Sequence, residues 1–230
     1  MEKFISTICG LLAIFSLSAQ TASTVKDIDG NEYPTVVIGE QEWMAENLKT
    51  TRLNDGTRIP LIKDNMEWCS KFTPVFSWYE NNESAYKNAY GALYNWYTVG
   101  TGKLCPTGWH VPTDKEWSEL TDHLEGTNMP GTSILMNGEL KSTRTAPDNH
   151  PRWNKPNTGA TNKNGFTALP GGQRSYLGTF NYLGKFGFWW TSTETNYAMC
   201  RGMRYDNSDV FMTSVNMRNG YSVRCVRDQK

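Results

Sequence analysis

The residues of this 230-residue chain best suited to chemistry are its cysteines and the few histidines near them. Cys105 and His110 lie close enough in sequence to form a nucleophile–base pair that activates a catalytic thiolate. An even number of cysteines in an exported protein instead favours disulfides, and four cysteines allow three pairings. No Cys-x-x-Cys spacing occurs, so a zinc site is not indicated. Beyond residue 20 the cysteines are Cys69, Cys105, Cys200 and Cys225, and we predict structural disulfides.

A short acidic segment, Asp27-x-Asp29-Gly30-Asn31, resembles the start of a calcium-binding loop. An EF-hand loop requires a bidentate Glu at its twelfth position, and this chain has none at that spacing. The same residues suit a β-turn, because Asp, Gly and Asn are common turn formers. We adopt the turn as the interpretation, and the sequence indicates no metal ion and no cofactor.

Short strands and turns are predicted to open the fold. Asp29-Gly30-Asn31 and Gly39-Glu40-Gln41 are hairpin turns, and the β-branched run between them is typical of a strand. We therefore predict N-terminal β-hairpins over residues 24–48. Aromatic and apolar residues at three- and four-residue steps then predict a helix over residues 84–99, with Ser84 as its cap.

The clearest helix signal follows Pro112, which ends a predicted strand. Thr113 and Glu116 form a capping box, in which each side chain accepts from the backbone amide of the other residue. The predicted helix covers residues 113–124. A shorter helix is predicted around residues 133–140.

The second half of the chain combines a long polar loop with strands. Trp153 lies within the loop, residues 142–165, and because disordered segments are poor in tryptophan we expect an ordered loop packed on the body. Asn219-Gly220 is a type I′ hairpin signal between the last two strands. Helices followed by an antiparallel sheet indicate an α+β fold. The strands are predicted at residues 166–169, 188–193, 197–205, 210–217 and 221–227.

The charge balance and the N-terminal residues limit the partners and the cellular location that we expect for the protein. The 23 basic and 23 acidic residues cancel and are interspersed, which argues against nucleic acid as a partner. Residues 1–19 have the pattern of a secretory signal peptide, with Lys3, an apolar run and small residues before Ala19. We expect residues 20–230 to form a single exported domain, secreted, periplasmic or at the cell surface. We expect no transmembrane segment in this mature chain.

Several sequence blocks, in this order, resemble the Fibrobacter succinogenes major paralogous domain. The blocks are Trp43-Met-Ala-Glu-Asn-Leu48, Tyr90-Gly-Ala-Leu-Tyr-Asn-Trp96, Cys105-Pro-Thr-Gly-Trp-His-Val-Pro-Thr-Asp-Lys-Glu-Trp117, Leu169-Pro-Gly-Gly-Gln-Arg174, Trp189-Trp-Thr-Ser-Thr-Glu194 and Ser222-Val-Arg-Cys-Val-Arg227. The resemblance covers nearly the whole mature chain. It implies a C-type-lectin-like fold, which is a mixed, twisted sheet with flanking helices and long irregular loops.

The resemblance also implies an exported protein of bacteria such as the Bacteroidetes, and it implies no known activity. Cys105 and Cys225 match the paired cysteines of the family, so the resemblance implies a Cys105–Cys225 disulfide and leaves Cys69–Cys200 as the second. C-type lectins bind sugar through calcium with Glu-Pro-Asn or Gln-Pro-Asp and Trp-Asn-Asp, none of which occurs here. The related formylglycine-generating enzymes need two reactive cysteines close together, which this chain lacks.

A candidate ligand-binding surface remains in the second half of the chain. Aromatic faces suit sugar rings or protein side chains when polar groups beside them fix the orientation. Trp189 and Trp190 alternate along one strand, so at least one is expected in the core, and core packing is the competing interpretation for the whole set. The candidate residues are Trp153, Arg174, Tyr176, Tyr182, Trp189, Trp190 and Glu194.

Three functions follow from these observations. The first, which we favour, is a non-catalytic binding or adhesion module for a polysaccharide or a protein, and it predicts exposed aromatic residues around a groove in the region of residues 142–190. The second is an exported enzyme, of the formylglycine-generating or another type, which requires converging titratable groups or a free thiol. The third is a structural component of the cell surface, which requires an exposed apolar patch.

Overall fold

The computed structural model describes residues 23–126, 137–194 and 197–228. The predicted signal peptide, residues 1–19, lies outside the described residues. The strands are β1 (Thr24–Lys26), β2 (Glu32–Ile38), β3 (Gln41–Met44), β4 (Phe76–Ser77), β5 (Leu93–Tyr94), β6 (Gln173–Arg174), β7 (Phe180–Asn181), β8 (Phe186–Glu194), β9 (Ala198–Arg204), β10 (Val210–Val215) and β11 (Val226–Asp228). The α-helices are α1 (Asn65–Cys69), α2 (Glu83–Tyr90), α3 (Trp96–Val99) and α4 (Asp114–Gly126).

The N-terminal strands form two successive hairpins, as the turn residues predict. β1 pairs with β2 and β2 with β3, all antiparallel, and β11 completes this sheet on the other side of β3. Asp27 stabilises the first turn because its Oδ1 accepts from the backbone amides of Asp29 and Asn31. The sheet therefore joins the start of the described chain to its C-terminal end.

The single helix predicted over residues 84–99 is wrong. The chain turns at Gly91, whose φ is +76°, and a Cβ there would lie 2.7 Å from the carbonyl oxygen of Leu48. This close approach ends α2 and allows β5 and α3 to follow as separate elements. The cap also differs from the prediction, because Asn82 rather than Ser84 accepts from the amide of Ala85.

The capping box of α4 is confirmed. Glu116 Oε2 accepts from the Thr113 amide at 2.6 Å, and Thr113 Oγ1 accepts from the Glu116 amide at 3.2 Å. The strand predicted before Pro112 is wrong, since residues 105–112 hold only an isolated bridge between His110 and Val226. Of the helix predicted at residues 133–140, the structure describes only a 3₁₀ turn, Asn137–Leu140.

The second sheet is antiparallel, in the order β10-β9-β8. The hairpin predicted at Asn219-Gly220 is wrong, because the turn lies at residues 216–219 and the chain then leaves β10. Residues 219–226 are all buried, and this segment bonds to residues on several elements rather than to one partner strand. The predicted strand at 166–169 is also wrong and retains only a bridge between Ala168 and Lys141.

The core contains seven tryptophans that are almost fully buried, and β8 passes between its two largest clusters. Trp190 packs on Tyr221 in one cluster, with ring centroids 4.6 Å apart. Trp189 packs on Trp117 of α4 in the other, at 6.1 Å. Antiparallel sheets, with α3 and α4 packed against β8 and β9, give the α+β class that the order of elements predicts.

Candidate functional site

The structure buries the three tryptophans of the predicted binding surface. Trp153, Trp189 and Trp190 expose no surface, and each indole N–H donates to an oxygen inside the protein. The reason at Trp189 and Trp190 is that both faces of β8 are covered, so alternation brings neither ring to solvent. The prediction that these three residues contact a ligand is therefore wrong, because their side chains form the core.

Arg174 is buried as well and has a structural role. Its guanidinium lies between the rings of Trp68, at 4.4 Å, and Phe180, at 4.9 Å. It donates to the backbone carbonyls of residues 62–64 and of Gly178. Arg174 therefore fixes the loop before α1 and is not available to a ligand.

The other three predicted residues are exposed but are placed on different parts of the surface. Tyr182 packs on Phe186, with centroids 5.1 Å apart. Glu194 ends β8. Tyr176 lies 5.7 Å from the guanidinium of Arg218, beside a groove described below. The sequence prediction thus named one residue near that groove.

Asn47 explains why the sequence blocks of the family lie together in the core. Its Oδ1 accepts from the indole of Trp189 at 2.9 Å and from Arg224 at 3.0 Å. Its Nδ2 donates to the carbonyl of Tyr90 at 2.9 Å and to the hydroxyl of Ser222 at 3.3 Å. One buried amide therefore joins four of the blocks, and these blocks specify the fold rather than a ligand.

The cysteines differ from the sequence expectation in one pair. Cys105 and Cys225 form a disulfide, whereas Cys69 and Cys200 are free, so the predicted Cys69–Cys200 bridge is wrong. Cys200 lies on β9 inside the main core cluster, while Cys69 ends α1 outside that cluster. Burial raises the pKa of the Cys200 thiol to about 12, which makes it a poor nucleophile at neutral pH.

The acidic segment near the N-terminus uses its carboxylates internally. Asp27 Oδ2 accepts from the Tyr33 hydroxyl at 2.5 Å. Asp29 accepts from the amide and hydroxyl of Thr51 and forms an ion pair with Arg52 at 3.0 Å. Within the described residues no group of three His, Cys, Asp or Glu side chains could hold a metal ion.

An aromatic groove with a volume of 240 Å³ is the candidate functional site. Phe72 and Tyr197 are 62% and 63% exposed, the largest exposed fractions among the aromatic side chains of the described residues. Phe72 packs edge-on against Tyr97, with centroids 6.1 Å apart. We call this site the aromatic groove, and its lining residues are Phe72, Tyr97, Tyr197, Val215, Asn216, Met217 and Arg218.

The backbone beneath the aromatic groove is held by hydrogen bonds to α1. The indole of Trp68 donates to the carbonyl of Arg218 at 2.9 Å, and Arg218 Nη1 donates to the carbonyl of Cys69 at 2.5 Å. The guanidinium of Arg218 lies 4.9 Å from the ring of Phe72. The groove is therefore a preorganised surface, because its turn and its central cation are both fixed.

Strand β10 leads directly into the aromatic groove. Val215, its last residue, lines the groove, and β10 is the edge strand of its sheet. Its pairing with β9 is regular from Val210 to Val215, and the strand carries no proline and no charged side chain. An edge without these protective features can accept another extended chain.

The sequence did not predict this groove, because its three rings come from three separate segments, none of them within residues 142–190, where a groove was predicted. Phe72 lies where no helix or strand was predicted, and Tyr97 lies within the single helix predicted over residues 84–99. The signal that could have found it is the uncharged β10 followed by Met217 and Arg218, since a strand without a polar alternation is either buried or an interface.

Comparison with known proteins places the chain in a family without adding an activity. None of the helices in the described part of the chain is long and apolar enough to span a bilayer. No curated protein and no solved structure matches the chain. The model of the Fibrobacter succinogenes major domain matches residues 36–227, and the chain therefore belongs to that family.

Proposed function

We propose that this protein is an exported, non-catalytic binding module that takes a protein ligand in the aromatic groove. The observation that carries the proposal is the exposure of Phe72 and Tyr197 beside a turn whose Arg218 carbonyl is held by the indole of Trp68. Exposed rings are unfavourably hydrated in the free protein. A partner that covers them removes this apolar surface from water, which contributes favourable free energy to binding.

The composition of the groove favours a protein over a polysaccharide. Aromatic residues, Met and Arg are enriched in protein interfaces, and Lys, Asp and Glu are depleted. The groove has this composition, since Arg218 is its single charged lining residue. A sugar would need several polar groups to orient its hydroxyls, and the lining provides mainly Asn216 and Arg218 besides the tyrosine hydroxyls.

The edge of β10 suggests how the ligand would be bound. Backbone groups along the outer edge of an antiparallel sheet can pair with an extended segment, while a neighbouring pocket selects one side chain. Val215 connects the two features, because it ends β10 and lines the groove. We therefore propose that an extended polypeptide segment pairs with β10 and places an apolar side chain between Phe72 and Tyr197.

The proposed location and fold family rest on separate support. The apolar run and small residues of positions 1–19 support export, as does the Cys105–Cys225 disulfide, because disulfides persist in oxidising compartments. The family membership and the α+β arrangement of sheets and helices support a C-type-lectin-like fold. Of the two free thiols, Cys200 gives a thiol-based enzyme little support, since it is buried in the core and burial raises its pKa.

Selection from a displayed random-peptide library tests the proposal. We expect peptides that bind the chain beginning at residue 20 and lose binding to a Phe72→Ser/Tyr197→Ser variant. Ile28→Ser is the matched control, because Ile28 is an exposed apolar side chain on a different surface.

A polysaccharide array is probed in parallel with the same variants. Groove-dependent binding to polysaccharides, with no groove-dependent peptides, would replace the protein ligand with a glycan. Concentration-dependent self-association that the double substitution abolishes would instead favour a structural component.

A further inference from the structure

A second cleft, distinct from the aromatic groove, lies beside α2 and has a volume of 190 Å³. Ala45, Glu46 and Asn47 line it together with the last turn of α2 and Gly91. Arg144 and Pro151, from the long polar loop, line it as well. None of these residues belongs to the aromatic groove, so the two sites can be tested independently.

The cleft is positively charged. Lys49, Lys87 and Arg144 line it, and Glu46 is the single carboxylate of the lining. Lys49 lies 3.4 Å from Glu46. Of the remaining two cations, Lys87 lies 3.0 Å from Glu83 and 5.4 Å from the centroid of the Trp78 ring. Arg144 lies 3.8 Å from Asp148 and donates to the carbonyl of Asn149. Such local, partly exposed pairs are weak, so both cations can turn to a ligand anion at small cost.

A buried cation below the cleft adds to this charge. Arg224 is fully buried and donates to Asn47 and Thr167, two residues that line the cleft. Its hydrogen-bond acceptors are neutral oxygens, and its Nε has no partner within the described structure. Burial lowers the pKa of this guanidinium to about 9, so it stays charged at neutral pH. A cation in a low-dielectric interior acts on the cleft with little screening.

The lining is apolar as well as cationic. Ala45, Ala89, Pro151 and Leu169 contribute carbon surface next to the charged groups. A guanidinium binds a carboxylate through two parallel hydrogen bonds, and the apolar wall would contact the carbon skeleton that carries it. We infer that this cleft binds the carboxylate of a small organic acid group, held between Lys87 and Arg144 with its carbon skeleton against Ala89 and Leu169.

Two sources can supply such a group, an acidic sugar residue or the carboxyl terminus of a peptide. The test is a titration of the isotope-labelled chain that begins at residue 20, carried out at constant ionic strength. Binding is monitored through the NMR chemical shifts of the backbone amides. The probes are D-glucuronate for the sugar, N-acetyl-L-alanine for the peptide terminus, D-glucose as a neutral control and sulfate as an inorganic anion. We expect saturable shifts at residues 45–47 and 89–91 with at least one carboxylate, and the stronger of the two identifies the source.

Variants establish that the cations carry the binding. Lys87→Gln and Arg144→Gln should each lower the affinity of the cleft for the carboxylate probe about tenfold, because each removes one charged hydrogen bond. Lys115→Gln is the control, because Lys115 forms an equivalent ion pair with Glu119 on α4 away from the cleft. Equal binding by glucose or sulfate, no saturable shift with either carboxylate, or unchanged affinity in both cleft variants would each overturn the inference.

Discussion

Single buried polar side chains hold this fold together at the residue scale. Asn47 satisfies two donors and two acceptors at once, and Arg174 and Arg224 donate mainly to backbone carbonyls. The motif residues are thus positioned for stability.

Removal of the Asn47 amide should be severely destabilising. Asn47→Ala leaves the indole of Trp189 without an acceptor in the core and removes one of the three acceptors of the Arg224 guanidinium. We expect a loss of about 3–5 kcal/mol in the free energy of unfolding, measured by urea denaturation. Asn88→Ala on the exposed face of α2 is the control and should change it by less than about 0.5 kcal/mol. A small effect at Asn47 would show that the amide network is not a main source of stability.

Elements follow the sequence pattern where one local signal decides them. The capping box fixes the start of α4 because Thr113 and Glu116 are close in sequence, and Asp29-Gly30 fixes the first hairpin. Long-range packing decides the rest. The approach of Leu48 splits the predicted helix at Gly91, and the buried C-terminal segment is drawn away from β10. Periodicity alone carries no information about either contact.

Lys141 gives a pH-dependent prediction for the turn that joins β9 and β10. Its buried amine donates to the carbonyls of Arg204 and Asn207. Desolvation lowers its pKa from 10.5 to about 8, although Asp206 and Asp209 oppose this. The unfolded chain therefore binds the Lys141 proton more tightly than the folded protein does. Between about pH 8 and pH 10 this residue should add up to about 1 kcal/mol of stability per pH unit as the pH rises.

A comparison of the chain with its Lys141→Met variant isolates the contribution of Lys141 to the pH dependence of stability. The urea concentration at the midpoint of unfolding is measured from pH 7.5 to about 9.5 for both proteins. As the pH increases, this midpoint should rise more steeply, or fall less steeply, for the chain than for the variant. Parallel curves would mean that the Lys141 amine titrates normally in the folded state.

At the scale of the whole molecule, the C-terminal segment closes the fold through the Cys105–Cys225 disulfide. The bridge spans 120 residues of sequence and joins the segment before α4 to the segment before β11. When it is unfolded without reductant, the chain from residue 20 should show two reactive thiols, and after reduction it should show four. Four protected cysteines would restore the second disulfide that the sequence analysis proposed.

Reduction of the bridge should also lower stability strongly. A loop of this length corresponds to about 5 kcal/mol in the chain-entropy model. A Cys105→Ser/Cys225→Ser variant should therefore unfold at a markedly lower urea concentration than the oxidised chain. A Cys69→Ser variant is the control and should leave the midpoint nearly unchanged, because Cys69 is a free thiol outside the main core cluster.

The sequence predicted the family, the α+β class and the family disulfide, since these depend on contiguous blocks. It did not predict the site. Trp153, Trp189 and Trp190 have the composition of a binding surface but are buried, while Phe72 and Tyr197 come from distant segments that only the folded chain brings together. Whether a ring is exposed is a property of the tertiary packing around it.

The most direct measurement is the dissociation constant of a peptide selected on the native chain, determined for the chain and for Phe72→Ser/Tyr197→Ser by fluorescence anisotropy. Each ring is exposed, so the double variant should keep its denaturation midpoint while its affinity falls at least about 100-fold, as expected for two aromatic anchors. Equal affinity of the two proteins, with Ile28→Ser also unchanged, would contradict the assignment of ligand binding to the aromatic groove.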